Sequence, residues 1–171
     1  PGAAVLGEED ALRERVMATT SGLLALLGIA ADPIRSREHI LLSTILDHAW
    51  RQERQLDIPT LIQQVQTPPV TRIGVMDVNT FFPADDRFAL AMSLNALVAS
   101  PAFAAWASGE PLDIGRLLYT DAGRPRLSVI SIAHLSDAER MCLVTAVLNE
   151  VVAWMRGQAG SRTLRAVLYM D

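Results

Sequence analysis

The sequence contains no lysine; all fifteen of its basic residues are Arg. Any mechanism that needs an amine side chain from this chain is therefore excluded: Schiff bases, pyridoxal chemistry, and the phosphate loop that ends in Gly-Lys-Ser/Thr. Cysteine occurs once, at Cys142, which rules out an internal disulfide framework and fits a reducing compartment. Histidine occurs three times, with no His-Glu-x-x-His and no paired cysteines, so a structural zinc site has no support. Four Phe, three Trp and two Tyr, none grouped with Arg on a visible stripe, make no base-stacking platform. A net charge of −4 is a poor start for a free-standing nucleic-acid binder. The longest mainly apolar stretch, 141–155, is shorter than a membrane span and carries Glu150. The opening Pro1-Gly2-Ala3-Ala4 has neither the basic start nor the cleavage site of a secretory signal. Together these absences predict a soluble, cytoplasmic protein with no membrane span.

What is present is globular: 171 residues and 18.6 kDa, half of them apolar and a fifth charged, enough for one domain or one and a half. The first two-thirds read as helices. Leu12, Val16, Leu23, Leu24 and Leu27 recur near helical spacing over 11–27, behind the acidic run Glu8-Glu9-Asp10 that suits a helix N-terminus. Gly28 and Asp32-Pro33 end that segment. A second helix is predicted from the cap Ser36 to about Arg54, and a third over 59–66, opened by Asp57 and Pro59 and closed by Thr67-Pro68-Pro69. After a loop through Gly74 come a helix over 85–99, a short one after Pro101, and a turn of helix over 113–118. Residues 1–120 thus form a helical bundle.

The pattern then changes. Leu127-Ser128-Val129-Ile130-Ser131-Ile132-Ala133 is β-branched and apolar on both faces, the habit of a buried parallel strand, and follows a turn at Asp121-Ala122-Gly123-Arg124-Pro125. Ser136-Asp137-Ala138-Glu139 is a capping box. The helix behind it runs to about Gly157 and is apolar nearly all round, so it should be covered on two sides. A second apolar strand over 164–170 leads directly into Asp171. The predicted fold is therefore mainly α with a C-terminal βαβ unit at 121–171. Two parallel strands buried on both faces are not stable alone, so further strands are expected from outside this chain, which reads as a piece of something longer. An open sheet edge and an uncovered apolar face also predict self-association.

Asp171 is the leading candidate residue. A carboxylate at the carboxyl end of a parallel strand sits at the edge where α/β sheets bind ligands; the same pattern also fits an acid that caps the following turn. His134 falls on the same edge, to approach a nucleotide or simply to anchor the strand-to-helix turn. His39, Ser43 and Asp47 stand in line on one helix with His48 beside them, but one helix face supplies neither converging side chains nor an oxyanion hole. Arg35, Arg37, Arg51 and Arg54 near the ends of that helix read as a solvated face, with a phosphate contact as the alternative. Cys142 reads as a small core residue.

The wording of the chain resembles a known family. Segment 127–140 is similar to the strand and helix just before the Walker B strand of HerA/FtsK-type P-loop ATPases. More specifically, the chain resembles bacterial ATP-binding proteins related to the HerA helicase central domain, which carry a helical insertion between the phosphate loop and Walker B. Ser36-Arg37-Glu38-His39-Ile40-Leu41-Leu42, Ile62-Gln63-Gln64-Val65-Gln66-Thr67-Pro68-Pro69, Phe81-Phe82-Pro83-Ala84-Asp85-Asp86-Arg87-Phe88 and 161–171 carry that likeness. It implies a helical insertion (1–120) followed by an incomplete piece (121–171) of a RecA-like α/β core. It implies ATP and Mg as cofactors of an intact motor, with Asp171 as the Walker B acid holding Mg through water and His134 near the nucleotide. It also implies a homo-oligomeric ring acting on DNA or a protein. The phosphate loop and the catalytic glutamate would lie outside this chain, which is expected to be inactive alone. The rival expectation is a non-enzymatic helical module that pairs its C-terminal strands with a partner.

Overall fold

The computed structural model describes residues 9–100, 103 and 112–170, and over them the chain is mainly helical. Helix α1 (Glu9–Leu26) opens with Glu9 and Asp10 in its first turn, where the N-terminal end of the helix dipole favours negative charge. It stops at Gly28, whose φ of +71° is a left-handed conformation suited to glycine. Asp32 builds the following turn by accepting from the amides of Ile34 (2.8 Å) and Arg35 (3.0 Å). Ser36 occupies the N-cap of α2 (Arg37–Arg51), but its hydroxyl does not cap; it accepts from the Asp32 amide at 2.8 Å. Helix α2 ends short of Arg54 because the chain turns out of the helix at Glu53, which has a φ of +57°.

Asp57 caps α3 (Ile58–Gln66) by accepting from the Thr60 amide at 2.8 Å, with Pro59 in the first turn. The loop through Gly74 is a small antiparallel hairpin, β1 (Arg72–Ile73) and β2 (Met76–Asp77), with Arg72 opposite Asp77 and Ile73 opposite Met76. Gly74 at φ +58° makes the two-residue turn. A short helix α4 (Val78–Phe81) leads into α5 (Ala84–Ala99). The short helix expected after Pro101 lies outside the described residues apart from Phe103. Helix α6 (Ile114–Leu118) is capped by Asp113, and α7 (Asp137–Arg156) by the capping box of Ser136 and Glu139, both halves of which form.

Helix α3 packs on α5, α2 joins that pair to α1, and α7 lies along the far side of α1. The main core comprises residues such as Leu24, Leu41, Ile45, Val65, Phe82 and Leu94, contributed by α1, α2, α3, α5 and the end of α4. A second cluster, Leu12, Val16, Leu46, Ala49 and Trp50, holds the other end of α1 on α2. Arg87 is buried at the turn between α4 and α5. It donates to the carbonyls of Phe82 and Gln66 and, at 3.0 Å, to the Asn79 side chain, so the buried guanidinium is met by hydrogen-bond acceptors.

Two expectations for the C-terminal part are not met in the same form. Segments 127–133 and 164–170 carry no strand ladder among the described residues, so of the expected strand–helix–strand unit only the helix is present. A parallel pair buried on both faces needs flanking strands, and the hairpin β1–β2 is the only sheet among the described residues. Likewise α7 is covered on one side, not two. Its inner face meets α1 and α6, while Met141, Leu148, Val152 and Met155 are exposed.

Candidate functional site

Asp171, the leading sequence candidate, lies outside the described residues. His134 is exposed in the turn that enters α7. Its neighbours serve the cap: the Glu139 carboxylate accepts from the Ser136 amide at 2.8 Å and from its hydroxyl at 2.7 Å. Those bonds, reinforced by the charge of His134, hold the Glu139 carboxyl below the ordinary carboxylate range. Arg140 completes the turn by reaching back to the Ala133 carbonyl at 3.3 Å.

The polar line on α2 is divided among separate partners. His39 is fully buried and meets Ser21 Oγ of α1 at 3.0 Å through Nε2, not Ser43. Burial pushes its pKa down, against the opposing pull of the His39 and Met17 carbonyls and the Asp32 charge. Ser43 donates to the Ile40 carbonyl at 3.1 Å, and Asp47 binds Arg51 Nε at 2.8 Å. Of the four arginines near the ends of α2, Arg51 is held between Asp47 and Glu9, which raises its pKa above the ordinary guanidinium value. Arg37 pairs with Asp86 at 3.2 Å and stacks over the Phe82 ring at 5.1 Å. Arg35 and Arg54 are exposed. Segments 36–42 and 81–88 form a packed joint: His39, Leu41 and Leu42 are buried in the first, Phe82 and Arg87 in the second, and Arg37 bridges them.

Among the described residues no group of three or more His, Cys, Asp and Glu is placed to hold a metal ion. The chain has no lysine, and of the arginines near the ends of α2, Arg37 and Arg51 are held in ion pairs.

The concave feature that the fold does build was not legible as a site in the sequence. A cavity of about 300 Å³ opens between α1, α7 and the α2–α3 connection. Helix α1 lines it with Arg15, Ala18, Thr19, Gly22, Leu23 and Leu26. Across from them α7 contributes Cys142, Thr145, Ala146 and Asn149, and Leu46, Trp50, Asp57 and Leu61 close the side. Small residues on the facing helices leave the space: Ala18 and Gly22 at i and i+4 on α1, and Ala146 on α7. That spacing is the one sequence signal that could have marked the cavity. Burial pushes the Cys142 thiol above its ordinary range, in keeping with a quiet wall residue. Burial also lowers the pKa of Arg15, which remains charged and pairs with Glu150 of α7.

Comparison of the chain with protein-family models, curated proteins and solved structures finds no match. Among the described residues no helix is long and apolar enough to cross a membrane.

Proposed function

We propose that the chain is the helical insertion and the Walker B-side piece of a HerA/FtsK-like P-loop ATPase, a cytoplasmic ring-forming motor that moves or remodels DNA or a protein. In that reading residues 1–120 are the insertion, and 121–171 complete a sheet with strands from elsewhere in the assembled core. Asp171 then serves as the magnesium-holding acid, and His134 lies on the same edge. The observation that supports it is the distribution of uncovered apolar surface. Leu127 and Val129 are 89% and 84% exposed, Leu164 and Val167 are 81% and 73% exposed, and the outer stripe of α7 is bare. Apolar segments this exposed call for a covering layer, and a parallel sheet flanked by α7 would provide one. The same surface favours a second reading, a non-enzymatic module that adds these segments to a partner's sheet.

The coding sequence on both sides separates the two readings. Gly-x-x-x-x-Gly-Lys-Ser/Thr upstream, with Glu following Asp171, is the outcome the ATPase reading expects. The longer product should then bind ATP only with magnesium and lose hydrolysis in Asp171→Asn, while the 171-residue chain shows no saturable nucleotide binding by calorimetry. A stop codon after Asp171 with no phosphate loop upstream would overturn the ATPase reading and leave the interaction module. Saturable magnesium-dependent ATP binding by the chain itself would contradict the division of the site.

A further inference from the structure

The cavity between α1 and α7 has no part in the ATPase reading and stands independently of it. The two helices run antiparallel: Arg15 meets Glu150 at one end of their contact, and Gly22 lies against Cys142 farther along. The lining therefore has a direction. Arg15 and Asn149 stand at one end, and α1 then carries it past Gly22 to Leu23 and Leu26. The walls are largely apolar, and the volume of about 300 Å³ is that of a small-ligand pocket. The polar end has no net charge to offer, because Arg15 is matched by Glu150, and Arg156 beyond it by Glu14 at 3.7 Å. It offers hydrogen bonds, from the remaining guanidinium N–H groups and the Asn149 amide.

Gly22 marks the narrow side of the cavity. It lies inside α1 without a positive φ, and a Cβ there would meet Cys142 Sγ at 3.5 Å, an ordinary contact, so an alanine fits and would take up space beside the thiol.

We propose that this cavity binds an uncharged amphipathic small molecule with its hydrogen-bonding head at Arg15 and Asn149 and its apolar body along Gly22, Leu23 and Leu26. Arg15 and Leu26 are ~16 Å apart along α1 at 1.5 Å per helical residue, longer than an extended eight-carbon chain.

Cys142 is the chain's only cysteine and lines the cavity, so its alkylation reports occupancy directly. The experiment measures the rate of N-ethylmaleimide addition by mass spectrometry, with 1-octanol as the probe and octanoate as its charged counterpart. Octanol should slow alkylation saturably, roughly tenfold when present at ten times its dissociation constant, and octanoate should protect far less. In Ala146→Leu, which fills the cavity, and in the milder Gly22→Ala, which narrows it, the ratio of rates with and without octanol should fall towards one. Circular dichroism checks that both variants are folded. Absence of saturable protection, equal protection by octanoate, or full protection retained in both folded variants would each overturn the proposal.

Discussion

The bundle formed by α1–α5 and the stretch 127–170 are both rich in apolar residues, yet they use them in opposite ways. In the bundle Leu41, Leu42, Ile45, Phe82 and Leu94 are sealed from solvent on several sides. Across 127–170 the one buried residue is Val147, while Leu127, Val129, Leu164, Val167 and Tyr169 stand open. An apolar pattern prescribes which face seeks cover; it does not supply the cover. In the bundle each face meets another helix of the same chain. In the C-terminal stretch only the inner face of α7 does, against α1 and α6.

The sharpest way to break that comparison is a matched pair of truncations. Phe82→Ala should cost about 3–5 kcal/mol, the toll for emptying a fully buried aromatic site. Val129→Ala, at a position 84% exposed, should stay within about 0.5 kcal/mol. Urea unfolding of the purified chain reads both. A Val129→Ala loss approaching that of Phe82→Ala would mean that 127–133 is covered in solution, by a second copy or by a strand partner. Sedimentation at rising concentration then identifies self-association as the source.

The same contrast explains what the sequence made legible. The helices are specified locally. Acidic first turns, Asp57 ahead of Pro59, Gly28 after the last apolar position and the Ser136–Glu139 box each act within a few residues, and each forms as read. Ser36 was placed correctly at its cap position, but its hydroxyl is taken by the Asp32 amide, a choice made by the turn before it. The hairpin at Arg72–Asp77 was not foreseen because four paired residues around Gly74 are too few for a period-2 pattern. Segments 127–133 and 164–170 have the composition of buried strands, but a ladder is a property of two chains of atoms side by side, and no single stretch encodes its neighbour. The cavity was hidden for a related reason: Arg15, Gly22 and Ala146 are ordinary helix residues until α7 is laid along α1.

The buried His39, bonded to Ser21 of α1, sharpens the comparison through pH. His39 is sealed between α1 and α2, and burial holds its folded pKa below the ordinary histidine value of about 6.5. As pH falls through that value the unfolded chain takes up a proton that the folded chain does not, so stability falls with falling pH. The slope from this one site is at most about 1.4 kcal/mol per pH unit, and it levels off once the folded pKa is also passed. His39→Gln keeps a hydrogen-bonding partner for Ser21 and removes the titration, so its urea midpoint should be flatter between pH 7 and 5 than that of the parent chain. A slope unchanged in His39→Gln would remove burial of this ring as its cause.

The most local effect is expected at the first turn of α7. Ser136→Ala removes the hydroxyl that accepts from the Glu139 amide and donates to the Glu139 carboxylate, both at the first turn of α7. Loss of a serine N-cap costs about 1 kcal/mol, and here it falls on a helix with one face already in solvent. Hydrogen exchange should therefore quicken in the first turns of α7 while the amides of α2 and α5 keep their protection, because those helices draw their stability from the bundle core and not from this cap. If protection in α2 and α5 drops by the same factor, α7 and the bundle unfold as one cooperative unit. The bare stripe of Met141, Leu148, Val152 and Met155 would then belong to a helix anchored as firmly as the core itself, through its packing on α1 and the Arg15–Glu150 pair.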